Sequence, residues 1–366
     1  MKTSAKAKLA CCLVFGLVCR STLVAWAQAS PDQLLLKDYQ PRSIFRIPQT
    51  QVDKARYRVI DMHSHDYAPR GGGIENWIKN MDAAGIQKTI ILSGATGKKF
   101  DEILARYGKF PDRFEVWCGL DYSEFDQSGY GPAALAELER CHQAGATGVG
   151  ELSDKGRGLN GRTNLAGMHP DDPRLDAIYE KCADLHMPLN IHVGEDKWMY
   201  EPMDASNDGL MNGWTWRVSH DPAVLQHDEV IETIAHAAKK HPRTTFIACH
   251  LANCCSDLNR LAAMFDSCPN LYADLGARYG EIAPIPRFAS QFIERYQDRI
   301  VYGTDAGTGL EMYRTSFRLL ETSDEHFYPN YQYHWAWYGF ALPDEVLKKI
   351  YRANAEKILR NGQGSQ

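Results

Sequence analysis

The chain has 366 residues, 44% of them hydrophobic and 24% charged, with a formal net charge of −5. That length and apolar content suffice for one large core and exclude a wholly disordered chain. The acidic balance, with no run of Lys and Arg, argues against nucleic acid or an anionic membrane as partner.

Residues 1–27 read as a secretory signal peptide. Lys2, Lys6 and Lys8 form a basic start, Leu9–Cys19 is an uncharged apolar segment, and Ala25-Trp26-Ala27 is a small-x-small cleavage site. The apolar segment is too short to span a bilayer, and Arg20 interrupts it, so a retained anchor is the lesser reading. Cleavage would remove Lys2, Lys6, Lys8 and Arg20 and move the charge from −5 to −9. It would also remove Cys11, Cys12 and Cys19, leaving seven of the ten cysteines. The expected location is therefore secreted or periplasmic, with no membrane contact afterwards. An odd cysteine count leaves at least one thiol unpaired in a monomer. Cys118, Cys182 and Cys249 sit within strand or helix patterns and are expected as buried thiols.

A polar leader over 28–56 precedes a repeating unit. Strands are predicted over Tyr57–His63, Lys88–Ser93, Phe114–Leu120, Thr147–Leu152, Leu189–Val193, Thr245–His250, Leu271–Leu275 and Ile300–Thr304. Most are continuous apolar runs, as parallel strands buried on both faces require. Amphipathic stretches lie between them. "PAALAELERCHQAG" carries Pro at its start and Gly at its end, and "DEVIETIAHAAKKHP" begins with acids and ends with bases. Eight such units over about 250 residues indicate an α/β TIM (β/α)8 barrel, here spanning 57–360. "LPDEVLKKIYRANAEKILR" reads as an extra C-terminal helix packed on the outside. The competing fold is an open doubly wound sheet, but no GxGxxG follows the first strand.

In a barrel, the C-terminal strand ends share one mouth. Strand 1 ends in His63 and His65, strand 4 in Glu151, strand 5 in His192, strand 6 in His250 and strand 8 in Asp305. A lone histidine at a strand end is ordinarily a hydrogen-bonded polar residue. Four histidines, a glutamate and an aspartate at one mouth form a donor set for zinc, manganese or iron.

The order HxH, His, His, Asp at the ends of strands 1, 5, 6 and 8 resembles the amidohydrolase superfamily. "VIDMHSH", "FIACHLAN", "IVYGTDAG" and the late "LPDEVLKKIYRANAEKIL" resemble its amidohydrolase-related (amidohydrolase-2 type) branch, over about 57–360. The resemblance implies a metal-dependent hydrolase of an ester, lactone or amide. The branch also holds decarboxylases of aromatic or aminocarboxymuconate type, which are the runner-up. It implies metal ligands at His63, His65, His192 and Asp305, one divalent cation with zinc first, and catalytic roles for Asp305 as proton carrier and His250 toward substrate or water. Glu151 stands where other branches bridge two metals, so a second cation is the minor reading.

Specificity is expected in the loops. The long segment Gly194–Pro222 is aromatic and suggests a lid or pocket wall. Lys197, Trp198, Arg217 and Arg278 are candidate binders of a small-molecule substrate, the cations for a carboxylate. "FYPNYQYHWAWYGF" (Phe327–Phe340) is read as pocket wall, core or dimer contact, so a homodimer is compatible with the sequence. His142, His186, His236 and His241 are expected at the surface. A secreted binding protein without catalysis is the reading from another class, and stoichiometric metal is what separates it from an enzyme.

Overall fold

The computed structural model describes residues 30–127, 129–159, 167–329 and 333–361. The expected signal peptide lies outside the described residues. The chain divides at Tyr39 into two units. Within the first, residues 30–39 form two short 3-10 turns, Pro31–Gln33 and Leu36–Asp38.

The second unit, Gln40–Gln366, holds the eight strands found among the described residues. They are β1 (Val59–Ser64), β2 (Ile86–Leu92), β3 (Phe114–Trp117), β4 (Val149–Asp154), β5 (Leu189–Val193), β6 (Phe246–Ala248), β7 (Leu271–Asp274) and β8 (Ile300–Val301). All pairings are parallel and follow chain order, β1-β2-β3 and β4-β5-β6-β7-β8. A bridge between Cys118 and Val149 joins the two runs. Met62 N donates to Tyr302 O at 2.9 Å and Asp305 N to His63 O at 2.9 Å, which brings β8 back to β1 and completes a TIM barrel. Later residues of the leader dock on it: Thr50 N donates to Asp324 Oδ2 and Arg56 N to Glu321 Oε1.

Helices cover the outside. Trp77 and Met81 of α1 (Ile74–Ala84) and Phe100 of α2 (Gly97–Tyr107) are fully buried against the strands' outer faces. A second cluster gathers Ile60, Ile90, Trp117, Ile247, Tyr272 and Val301 from six strands, which is the barrel interior. Ala355 and Ile358 belong to it. The C-terminal helix is therefore a plug at the barrel's base, where an outside position was expected. The reason is local: Tyr302 N donates to Ile350 O, and Asn354 Nδ2 donates to Ile300 O, both in the middle of that helical segment.

The seven cysteines from Cys118 to Cys268 are free and buried, as expected for three of them. His241 is a second correction. It is buried, with Nδ1 at 2.8 Å from Glu180 and Nε2 at 2.9 Å from Asp176, because α-helical acids fold over it.

Candidate metal centre

Each histidine of the cluster has one ring nitrogen spent on an acceptor. His63 Nδ1 donates to Asp274 Oδ2 at 2.9 Å, His65 Nδ1 to Leu92 O at 2.9 Å, His250 Nδ1 to Gly276 O at 2.7 Å and His192 Nε2 to Gly194 O at 2.7 Å. A backbone carbonyl only accepts, so the proton sits on the outer nitrogen. In the neutral imidazoles, the form that binds a cation, the inner nitrogens then present lone pairs.

Those lone pairs converge on Glu151 and Asp305. Glu151 Oε2 lies 3.2 Å from His65 Nε2 and 3.8 Å from His63 Nε2. Its other oxygen, Oε1, lies 2.7 Å from His192 Nδ1 and 3.6 Å from His250 Nε2. Asp305 Oδ1 is 3.2 Å from His65 Nε2 and 4.0 Å from His63 Nε2. His192 Nδ1 and His250 Nε2 are 3.1 Å apart. His63 Nε2 is buried without a hydrogen-bond partner. Lone pairs that face lone pairs and carboxylates at these distances repel unless positive charge lies among them. The donor set therefore fits divalent cations.

The titration pattern agrees. Burial pushes Glu151 up, but the four histidines hold it well below the ordinary carboxylate range. Asp305 is lowered against its burial by His63 and His65. His65 is pushed up to about 9, since Asp305 and Glu151 outweigh its burial. His250 goes the other way: burial and the neighbouring His192 lower it. With Nδ1 directed at Gly276 O, its Nε2 faces the cluster.

Local backbone sets these positions. His250, Leu251, Ala252 and Asn253 all lie in the left-handed region at φ 53–60°, and Asp305 at φ 48°. Such residues cost about 1–3 kcal/mol each and persist where surroundings over-determine them. Here His250 N donates to Asp274 Oδ1 and Asp305 N to His63 O. Asp274 thus ties strands 1, 6 and 7 beneath the cluster. Cys249 lies in the same floor, near His63, Glu151 and His250, and donates to Asn190 Oδ1.

A cavity of about 490 Å³ opens over the cluster. Tyr67, Glu151, His192, His250 and Asp305 line it, with Arg278, Lys155, Glu195 and Trp216 further out. Tyr67 OH donates to Asp305 Oδ1 at 2.8 Å. Arg278 is present but committed: its guanidinium lies 2.9 Å from Asp196, 3.6 Å from Glu195 and 3.6 Å from Glu281, and donates twice to Asn253 Oδ1. Lys197 points elsewhere, toward Glu201, and Trp198 packs on Trp335 and donates to Asp208. Neither lines this cavity among the described residues. Arg217 lines a neighbouring one. The long segment does form a wall, through Met199, Asn212 and Trp216, and the late aromatic stretch adds Tyr333. Tyr67, Lys155 and Glu195 were missed. Each stands two to four residues beyond a strand-end donor, which was the only signal for them.

The sequence model of the family described as Amidohydrolase matches residues 51–360. No curated protein matches the chain. Among solved structures, the chain is similar to an uncharacterized TIM-barrel protein from Bordetella bronchiseptica, at 16% identity over 84% of this chain and 99% of that one, with a TM-score of 0.54. It is similar to a dihydroxybenzoic acid decarboxylase from Polaromonas with bound manganese and 2-nitroresorcinol, at 16% over 83% and 97%, TM-score 0.52. A 5-carboxyvanillate decarboxylase from Novosphingobium aromaticivorans, complexed with manganese, matches at 17% over 86% and 100%, TM-score 0.50. At these identities the likeness is one of fold.

Proposed function

The chain belongs to the amidohydrolase family, and from that premise we propose a metal-dependent hydrolase that cleaves the carbonyl C–O or C–N bond of an ester, lactone or amide in a small molecule. The observation that carries this reading is that the two oxygens of Glu151 face different histidine pairs. His63, His65, Asp305 and Glu151 Oε2 would hold one cation. His192 Nδ1, His250 Nε2 and Glu151 Oε1 would hold a second. Imidazole and carboxylate donors suit zinc first, with manganese or iron as substitutes. When bound, such cations supply Lewis acidity, polarising a carbonyl and acidifying water toward neutral pH.

The remaining work falls to side chains. Asp305 takes the proton of the attacking water and passes it to the leaving oxygen or nitrogen. Tyr67 donates to Oδ1, the oxygen that also faces His63 and His65, and so fixes the orientation of that carboxylate. In a decarboxylase the metal would hold the substrate's carboxylate or hydroxyl, and a cation directly beside the cluster would help to seat it. Arg278 faces three acids instead, which supports hydrolysis. The proposed setting is extracytoplasmic, on the strength of residues 1–27.

The test pairs metal counting with a substrate screen. Zinc-loaded protein is expected to hold two equivalents and Glu151→Gln about one or fewer, with turnover of lactones, esters or amides by the former. Release of carbon dioxide from hydroxybenzoates, without any hydrolysis, overturns the hydrolase reading.

A further inference from the structure

The cavity over the cluster adjoins another of about 440 Å³. Ser153, Lys155, Glu195 and Trp216 line both, so one ligand can reach from the first into the second. The two compartments differ in charge. Glu151, Glu195, Glu281 and Asp305 face the inner one, against Lys155 and Arg278. The outer one sets Lys155, Arg157 and Arg217 against Glu195 alone.

Two of the three outer cations are weakly committed. Arg217 stacks on Trp214, 4.4 Å from the ring centre, and donates to Trp214 O, but it forms no ion pair among the described residues. Arg157 meets only Asp221, at 3.7 Å, with both side chains nearly half exposed. Lys155 is paired with Glu195 and lies 5.2 Å from the centre of the Trp216 ring. Trp216 is 52% exposed although it lines both compartments. An aromatic face left open at the waist of a cavity favours an apolar ligand segment.

We propose that the two compartments form one bipartite site, for a substrate with its reactive carbonyl at one end and an anionic group, carboxylate or phosphate, at the other. Arg217 and Arg157 take the anion, since planar guanidinium groups match both oxyanions. Trp216 covers the hydrocarbon between the two ends. Only the reactive end rests on the hydrolase reading.

Binding is tested on the metal-loaded full chain by calorimetry, with phenylbutyrate, phenylbutylphosphonate and the neutral phenylbutanol. Wild type should bind the better anion about tenfold more tightly than the alcohol, and Arg157→Ala/Arg217→Ala should erase that preference. Which anion wins separates a carboxylate from a phosphate substrate. The preference should survive in Glu151→Gln. Both arginines are exposed, and an unchanged thermal midpoint confirms that the double variant folds. Equal anion binding by wild type and the double variant, or loss of it in Glu151→Gln instead, overturns the proposal. Catalysis gives a separate reading. The double variant should lower kcat/KM for the mono-nitrophenyl ester of glutarate about tenfold relative to nitrophenyl butyrate. If neither ester is turned over, the hydrolase reading suffers, while the calorimetry still decides the bipartite site.

Discussion

Asp274 Oδ2 lies 2.9 Å from His63 Nδ1, and both residues are fully buried. The same carboxylate accepts from Asn190 Nδ2, His250 N and Gly276 N. It therefore fixes the ring of one candidate ligand and the backbone of another. An outer partner of this kind raises the basicity of the imidazole and sets its tautomer. Asp274→Asn keeps the size but removes the charge. We expect it to weaken zinc binding about 10–100-fold in a chelator competition. Unchanged affinity would show that the His63 orientation does not depend on Asp274.

The pH behaviour of the metal-free protein follows from His65 together with His63, which Asp274 and Asp305 raise against its burial. The folded value of His65 is pushed up to about 9, where burial opposes the charge but Asp305 and Glu151 favour it more. A raised value means that the folded state holds the proton more tightly. The contribution to stability is then full below an ordinary histidine value of about 6.5 and is lost as pH rises through about 9. The urea midpoint of metal-free protein should fall across that window, and His65→Gln should flatten the fall. Metal-loaded protein should lack it, because a cation takes the proton's place. Identical pH profiles for metal-free wild type and His65→Gln would remove the basis for this assignment.

Most of the barrel was legible because its strands are buried on both faces. A run such as "FIA" has no polar face to hide, so burial and strand type coincide. Glu151, His192, His250 and Asp305 were legible for a related reason, since each breaks an apolar run at its end. The floor was not. Asp274 and Asn190 look like ordinary strand polar residues until the closed barrel brings them within 3.1 Å. The partners of Arg278 were also hidden. Glu281 is an i,i+3 neighbour in the short helix after β7, but Glu195 and Asp196 follow β5, and no periodicity encodes how that loop meets Arg278. The tautomer of His250 depends on a carbonyl 26 residues away, at Gly276.

Tyr67 offers a test of the proton carrier. Its hydroxyl donates to Asp305 Oδ1 at 2.8 Å and lines the cavity. Removing a donor from a carboxylate disfavours its charged form. Tyr67→Phe should therefore shift the acid limb of the kcat profile to higher pH and lower kcat about tenfold, with KM little changed. A variant that loses KM alone would make Tyr67 a substrate contact rather than a positioning residue.

Arg278 separates two roles that look alike in a sequence. As a clamp for a substrate carboxylate, it would be dispensable for folding and decisive for KM. The structure surrounds it with Asp196 at 2.9 Å and with Glu195 and Glu281 at 3.6 Å, all buried. Burial and these acids act together: Glu281 is pushed up to about 7 by burial, with Arg278 opposing that rise. Taking the guanidinium away leaves three buried carboxylates without their counter-charge. Removing one member of such a cluster costs about 3–5 kcal/mol. Arg278→Met should thus lower the denaturation midpoint sharply. Glu281→Gln in the same background should recover part of the loss, because one uncompensated acid is gone. A fully stable Arg278→Met with a raised KM for anionic esters would instead return Arg278 to the substrate.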